Sequence, residues 1–150
     1  MDLIENKKNL IAHCKTLIDE KITVIQAAID DAQQTANEYG LPKDRYDSFR
    51  AQILRKKDMF GQQLVRLIDE KNMLDKISLK KTLNAIAFGA IVKTNHQTLF
   101  IAIGLGKTQF KNDTVYVISP SVPLFHAIIG KKKGDKYSFN NTENVILDIY

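Results

Sequence analysis

Tyr39-Gly40-Leu41-Pro42-Lys43-Asp44-Arg45-Tyr46-Asp47-Ser48 is the stretch whose reading decides the fold. Gly40 and Pro42 are the only glycine and proline in the first sixty residues. Glycine readily takes the left-handed conformation that closes a helix, and proline cannot continue one. The stretch therefore separates two helices. It also holds two carboxylates, Asp44 and Asp47, three residues apart. At the start of a second helix Asp44 suits the N-cap and Asp47 the first turn, where acidic groups meet unpaired N–H donors. On an exposed tip the same pair could share a hard cation such as Mg2+, which takes one or two protein carboxylates alongside waters and phosphates.

Upstream of this stretch, Ile4, Ile11, Ile18, Ile25 and Ala32 recur every seven residues, flanked by Leu3, Leu10, Leu17 and Val24. Downstream, Tyr46, Ile53, Phe60, Leu67 and Leu74 repeat the interval. Sustained heptads mark coiled-coil helices. The pattern predicts helices over residues 2–38 and 43–77, the first roughly 55 Å long at 1.5 Å per residue. Joined by so short a connection, two helices that pack must run antiparallel. Folding the chain about Leu41 places Ile25 near Lys57, Ile18 near Leu64 and Ile11 near Lys71. Ala32, Thr35 and Ala36 replace larger apolar residues on the first arm, so packing should thin toward the tip. Arg45, Arg50, Arg55, Lys56 and Lys57 cluster there. Such a cluster is most often a solvated helix face; beside an acidic tip it could instead hold a phosphate backbone.

The heptads stop near Ile77, and Ser78 to Asn84 reads as a linker or short helix. Strand patterns follow over Ala87–Lys93, Leu99–Ile103, Thr114–Ile118, Lys136–Phe139 and Val145–Ile149, bounded by turn-forming residues. Phe125–Ile129, between Pro123 and Gly130, suits one short helix. Five strands and a helix make a small α+β domain. Gly104-Leu105-Gly106-Lys107-Thr108 resembles the end of a phosphate-binding loop, but Ile101 stands where that motif needs its first glycine, so a strand-ending turn is expected. His13, His96 and His126 have no ligand spacing; His13, beside Cys14, is expected on the flank of the coil.

The 150 residues hold 22 basic and 17 acidic side chains, a net charge of +5. Through Ser78 the charges balance, 13 against 13; beyond it nine lysines face Asp113, Asp135, Glu143 and Asp148. The excess includes Lys131-Lys132-Lys133, either a solvated turn or a patch facing something acidic. A single cysteine excludes an internal disulfide framework and a cysteine zinc site and suits a reducing, cytoplasmic setting. No apolar run approaches the length of a membrane span. The N-terminus lacks the basic and apolar blocks of a signal peptide.

Ile118-Ser119-Pro120-Ser121-Val122-Pro123-Leu124-Phe125-His126-Ala127-Ile128-Ile129-Gly130-Lys131-Lys132-Lys133-Gly134-Asp135 is similar to the C-terminal pattern of the bacterial Gre transcript-cleavage factors, GreA and GreB. That pattern reads Ser-Pro-Ile/Leu, a short helix, then Ile-Gly-Lys-x-x-Gly-Asp. Phe88-Gly89 and the closing Ile146-Leu147-Asp148-Ile149-Tyr150 match as well, and the hairpin has family-like length. The resemblance spans essentially the whole chain. It implies an N-terminal antiparallel coiled-coil hairpin over 1–78, with its tip near 39–48, and an FKBP-like antiparallel sheet domain over 79–150. It further implies a cytoplasmic, monomeric partner of RNA polymerase and of the nascent RNA and DNA in the elongation complex. Pro120, Pro123 and Leu124 would dock the polymerase, and the coil would enter its secondary channel. Asp44 and Asp47 would help hold an Mg2+ there, while Arg45, Arg50, Arg55, Lys56 and Lys57 would contact RNA phosphates. The polymerase, not this chain, would cut the transcript. Asp47 stands where the family has Glu, and Val122 where its docking loop has Ser. Three other readings stay open: a Gre-like regulator or inhibitor without cleavage activity, an FKBP-type prolyl isomerase, and a coiled-coil adaptor.

Overall fold

The computed structural model describes residues 3–41 and 47–150, the side chains of residues 3 and 4 excepted. The chain forms two compact units: Lys15–Asn72, and Met1–Cys14 together with Met73–Tyr150. The first turns of the first helix thus belong with the C-terminal portion of the chain.

The first of these units is a helical hairpin, built from the parts of α1 (Leu3–Tyr39) and α2 (Ser48–Asp75) that lie within Lys15–Asn72. α1 ends as its sequence dictates. Gly40 takes φ +84°, and its N–H donates to the Ala36 carbonyl at 3.1 Å. α2 begins five residues later than the heptads suggest. The reason is its cap: Asp47 Oδ1 accepts the Arg50 N–H at 3.3 Å, and the Asp47 carbonyl accepts the Ala51 N–H at 3.4 Å. Asp47 therefore serves as the N-cap expected of Asp44, a residue that lies outside the described ones. The longer connection also moves the register. Asp19 meets Lys71, Gln33 meets Lys57, and Gly40 meets Arg50, so facing residues share the index sum 90. Folding about Leu41 gave 82. Ile18 and Ile25 consequently lie eight positions away from the partners first expected for them.

Packing in the hairpin also differs from the expected taper. Ala32 and Ala36, near the tip, are buried, whereas Val24 is 67% exposed and Val65 58%. Small side chains let helices approach and cover one another; the larger ones at mid-length leave a groove of about 580 Å3. Val24, Ile25 and Leu67 line it, between Glu20, Lys21, Arg66 and Glu70.

The other unit is a six-stranded sheet of order β3-β4-β2-β1-β6-β5. Its strands are β1 (Ile91–Thr94), β2 (Thr98–Ile101), β3 (Gly106–Phe110), β4 (Asp113–Ile118), β5 (Lys136–Phe139) and β6 (Thr142–Ile149), with α3 (Pro123–Ile128) between β4 and β5. The fold class is α+β, but the sheet is mixed rather than antiparallel, because β2 and β4 pair in parallel. β3 is the strand the pattern did not reveal. It begins within the glycine-lysine stretch where a strand-ending turn is expected, and it reaches β4 through Lys111 and Asn112, both at positive φ. Asn140 and Asn141 make the same kind of two-residue turn between β5 and β6. β1 starts at Ile91 because Ala87–Ala90 is a turn with Gly89 at φ +90°.

One face of the sheet packs Val92, Leu99, Ile101, Ile146 and Ile149 against Phe125 and Ile128 of α3. The first turns of α1 meet the opposite side. Lys111 Nζ donates to Asn6 Oδ1 at 3.0 Å. His13 Nε2 lies 3.2 Å from Thr108 Oγ1, with its ring 5.5 Å from that of Phe110. His13 is therefore an anchor on β3 rather than a coil-flank residue. Next to it, Cys14 is fully buried and its thiol is pushed up to about 12 by desolvation, which removes thiolate chemistry at neutral pH.

Candidate functional site

At the hairpin end a small cluster forms around Asp47. Its Oδ1 accepts both the Arg50 N–H and the Tyr39 hydroxyl, the latter at 3.1 Å. The Tyr39 ring packs on Phe49 at 4.9 Å between centroids, and Arg50 Nε donates to the Gly40 carbonyl at 3.0 Å. The last turn of α1 and the first of α2 are thus tied by three residues of opposite character: an acid, a base and a phenol. Sequence reasoning gave Tyr39 no role. The available signal was an aromatic directly before the closing glycine, eight residues from an acid across the turn.

The basic cluster separates into two groups. Arg50 and Lys57 are engaged across the hairpin, with the Gly40 carbonyl and Gln33 Oε1. Arg55 and Lys56 are exposed; Lys56 lines a cavity of about 290 Å3 with Asp31, Thr35 and Phe60. Asp44 and Arg45 lie outside the described residues. Among the described residues no three His, Cys, Asp or Glu side chains gather to hold a metal. Asp47 is a hard oxygen donor that suits Mg2+, but its carboxylate already accepts two hydrogen bonds. It fits Mg2+ only as one member of a ligand set completed by other groups.

In the sheet unit, Ser119–Pro123 makes a tight corner. Ser121 N–H donates to Ser119 Oγ at 3.2 Å, and Pro123 opens α3 at its first turn, where no N–H is needed. Pro123 is exposed, Pro120 half-buried, and Leu124 packs onto the core. Leu124 also lines a cavity of about 290 Å3 with His96, Tyr137, Phe139 and Asn144. Burial pushes the Tyr137 hydroxyl up in pKa, with Gln97 and Thr94 acting against that shift. No helix among the described residues is long and apolar enough to cross a membrane.

No protein-family model matches the chain, and no curated protein matches it. Among solved structures it is similar to the GreA factor homolog 1 (Gfh1) protein of Thermus thermophilus. The identity there is 15%, over 91% of this chain and 94% of that one, with a TM-score of 0.35. A second structure, of the transcription factor Gfh1, gives 14% identity, 91% and 92% coverage, and a TM-score of 0.35. A TM-score at this level is too low for either likeness to bear on function.

Proposed function

We propose that this chain is a Gre-like transcription elongation factor that binds RNA polymerase and presents the Asp44–Asp47 tip to its active centre. One observation supports this best. An antiparallel hairpin with a capped, acid-bearing turn precedes a sheet domain whose Ser119–Leu124 corner opens a short helix. That is the order the Gre resemblance of residues 118–135 calls for. In this reading Pro123 and Leu124 dock the polymerase, and Asp44 and Asp47 each offer a carboxylate to an Mg2+ held largely by the polymerase. Such an ion activates water for phosphoryl chemistry. The role of this chain is to place acid and base: Tyr39 and the α2 N-terminus fix the Asp47 carboxylate, and Arg55 and Lys56 face solvent where phosphate could approach.

Asp47 also favours a second reading. A carboxylate shorter than Glu and already engaged as a helix cap suits a factor that occupies the channel without stimulating cleavage. Adding the protein to a backtracked elongation complex separates the two. Transcript shortening that Asp44→Asn or Asp47→Asn abolishes, with polymerase binding kept, supports carboxylate-assisted cleavage. Binding without shortening at any Mg2+ concentration supports the second. No binding to purified polymerase removes both.

A further inference from the structure

Nine lysines against four carboxylates beyond Ser78 account for the chain's whole net charge of +5. Six of the nine fall in two stretches, Lys131, Lys132, Lys133 and Lys136 in 130–136, and Lys80 and Lys81 a few residues ahead of Ala85 and Ile86, where the backbone joins the two. Ala85 bridges Lys132, the Ile86 N–H donates to the Lys131 carbonyl at 2.8 Å, and the Gly130 N–H donates to the Ile86 carbonyl at 2.9 Å. The lysine turn is fastened on its other side as well. Gly134 N–H donates to the Ile146 carbonyl at 2.8 Å, and Ile146 N–H to the Asp135 carbonyl at 2.9 Å. A merely solvated turn needs no such anchoring; here consecutive lysines ride on a fixed main chain.

Little neutralises them. For Lys131, Lys132, Lys133 and Lys136 the acid nearest in sequence, Asp135, is committed to the turn, its Oδ2 accepting the Lys132 backbone N–H at 2.8 Å. Among the described residues the one ion pair these six lysines make is Lys136–Glu143, at 3.9 Å and mostly exposed. All but Lys131 are exposed.

We propose that this cluster is a nucleic-acid-binding surface that grips the phosphate backbone without reading sequence. Lysine ammonium groups are mobile point charges without the planar fork that recognises individual bases, so they suit phosphates spaced along a strand. A folded acidic protein would instead be met by aromatic or apolar anchors at the centre of the interface; Gly130–Lys136 carries none, and the exposed Ile129 directly before it is a single apolar side chain. Its lysines are other residues than Arg45, Arg50, Arg55, Lys56 and Lys57, and the proposal stands whether or not the chain acts at RNA polymerase.

The test is fluorescence anisotropy with the full chain, titrated onto a short mixed-sequence DNA duplex and onto single-stranded RNA. Counterion release sets the slope of log K against log salt at about −0.9 per phosphate neutralised on a duplex and about −0.7 on a single strand, so six engaged lysines give about −5 on a duplex. Lys131→Ala, Lys132→Ala and Lys133→Ala together are expected to flatten the duplex slope by about 2.7 and to weaken binding about tenfold or more at about 50 mM salt. Lys8→Ala, Lys21→Ala and Lys107→Ala remove the same charge from three other exposed positions and should leave most of the binding intact. Tighter binding of the duplex assigns the surface to DNA, and tighter binding of the single strand assigns it to RNA. Equal weakening by both triple variants, no salt-dependent binding of either nucleic acid, or equal competition by polyglutamate would each overturn the proposal.

Discussion

In the sheet unit, ten side chains from both layers close into one cluster, Val92, Ile101 and Ile128 among them wholly removed from water. Along α2 the one buried side chain is Leu74, and it belongs to that same sheet unit. Within the hairpin unit proper, Ile18, Ala32 and Ala36 are buried, all on α1. Both arms carry an apolar heptad ladder. Two helices alone can cover only one side of each apolar ladder, whereas a sheet flanked by helices covers both of its faces. The sheet unit is therefore held by area removed from water. The hairpin is held by one seam and by polar ties that share a single register. Elements with little buried apolar area are those that open most readily.

The largest effects should test that contrast directly. Phe100, fully buried in β2, truncated to alanine is expected to destabilise the chain by about 4 kcal/mol, while Phe60→Ala, half-buried on α2, should lose less than about 2. Urea unfolding followed by circular dichroism reads both. Equal losses would mean that the hairpin is packed as tightly as the sheet, and the comparison would fail.

Two glycines with nearly the same φ sharpen the point. Gly89, at +90°, would place a new Cβ 3.1 Å from Ile77 Cγ2, whereas Gly40, at +84°, has nothing within 4 Å. A left-handed alanine alone is strained by roughly 1–2 kcal/mol. Gly89→Ala should therefore exceed Gly40→Ala, at about 2 against about 1 kcal/mol, because Ile77 must also give way. Matching melting-temperature shifts would show that backbone strain accounts for both and that crowding of the sheet unit adds nothing.

How far the sequence could be read follows the same division. Heptads announce helices wherever they occur, so both arms and the glycine stop were legible. The register was not, because it depends on where α2 is capped, and Asp44 and Asp47 are equally good caps on paper. In the sheet, strands that bury apolar side chains were visible, whether on alternate residues as in β4 or on three in succession as in β2. β3 was not: Gly-Lys-Thr-Gln-Phe sits at an edge with its side chains exposed or half-exposed, so no apolar alternation marks it. The β2–β4 parallel pairing was equally hidden, since the partners are separated by β3 and nothing local records which strands meet. At the candidate site, Asp47 and Arg50 were legible as charges near a turn. Their hydrogen bonds to Tyr39 and to Gly40 were not, because both run across the helix connection.

A mid-sized effect belongs to the tip. Asp47→Ala removes the α2 cap and the acceptor for Tyr39, and should reduce stability by about 1 kcal/mol. Asp47→Asn keeps an oxygen acceptor and should lie within a few tenths of the parent. The pair separates structure from chemistry: if Asp47→Asn abolishes transcript shortening while its unfolding midpoint is unchanged, the carboxylate acts through its charge. If Asp47→Asn unfolds as readily as Asp47→Ala, the charge itself is what holds the tip, and the capping geometry is incidental.

The smallest effect should come from Asp19 and Lys71, 2.6 Å apart with side chains 54% and 40% exposed. Water screens such a pair, and holding two long side chains in one geometry offsets part of the attraction, so the coupling is expected near 0.5 kcal/mol. A double-mutant cycle of Asp19→Asn and Lys71→Met measures it, and the value should shrink as salt rises past about 0.1 M, where charges are screened over about 10 Å. Its interest lies in position rather than size. Asp19–Lys71, Gln33–Lys57 and Gly40–Arg50 all obey one index sum, so each opposes slippage of α2 along α1. A heptad ladder alone permits slippage by seven residues, since every seventh position is again apolar. If the ties set the register, removing Asp19 and Lys57 together should change which cysteine pairs, introduced across the seam at sum 90, form disulfides. Retention of the same cross-links in that variant would assign the register to the Asp47 cap and the apolar seam instead.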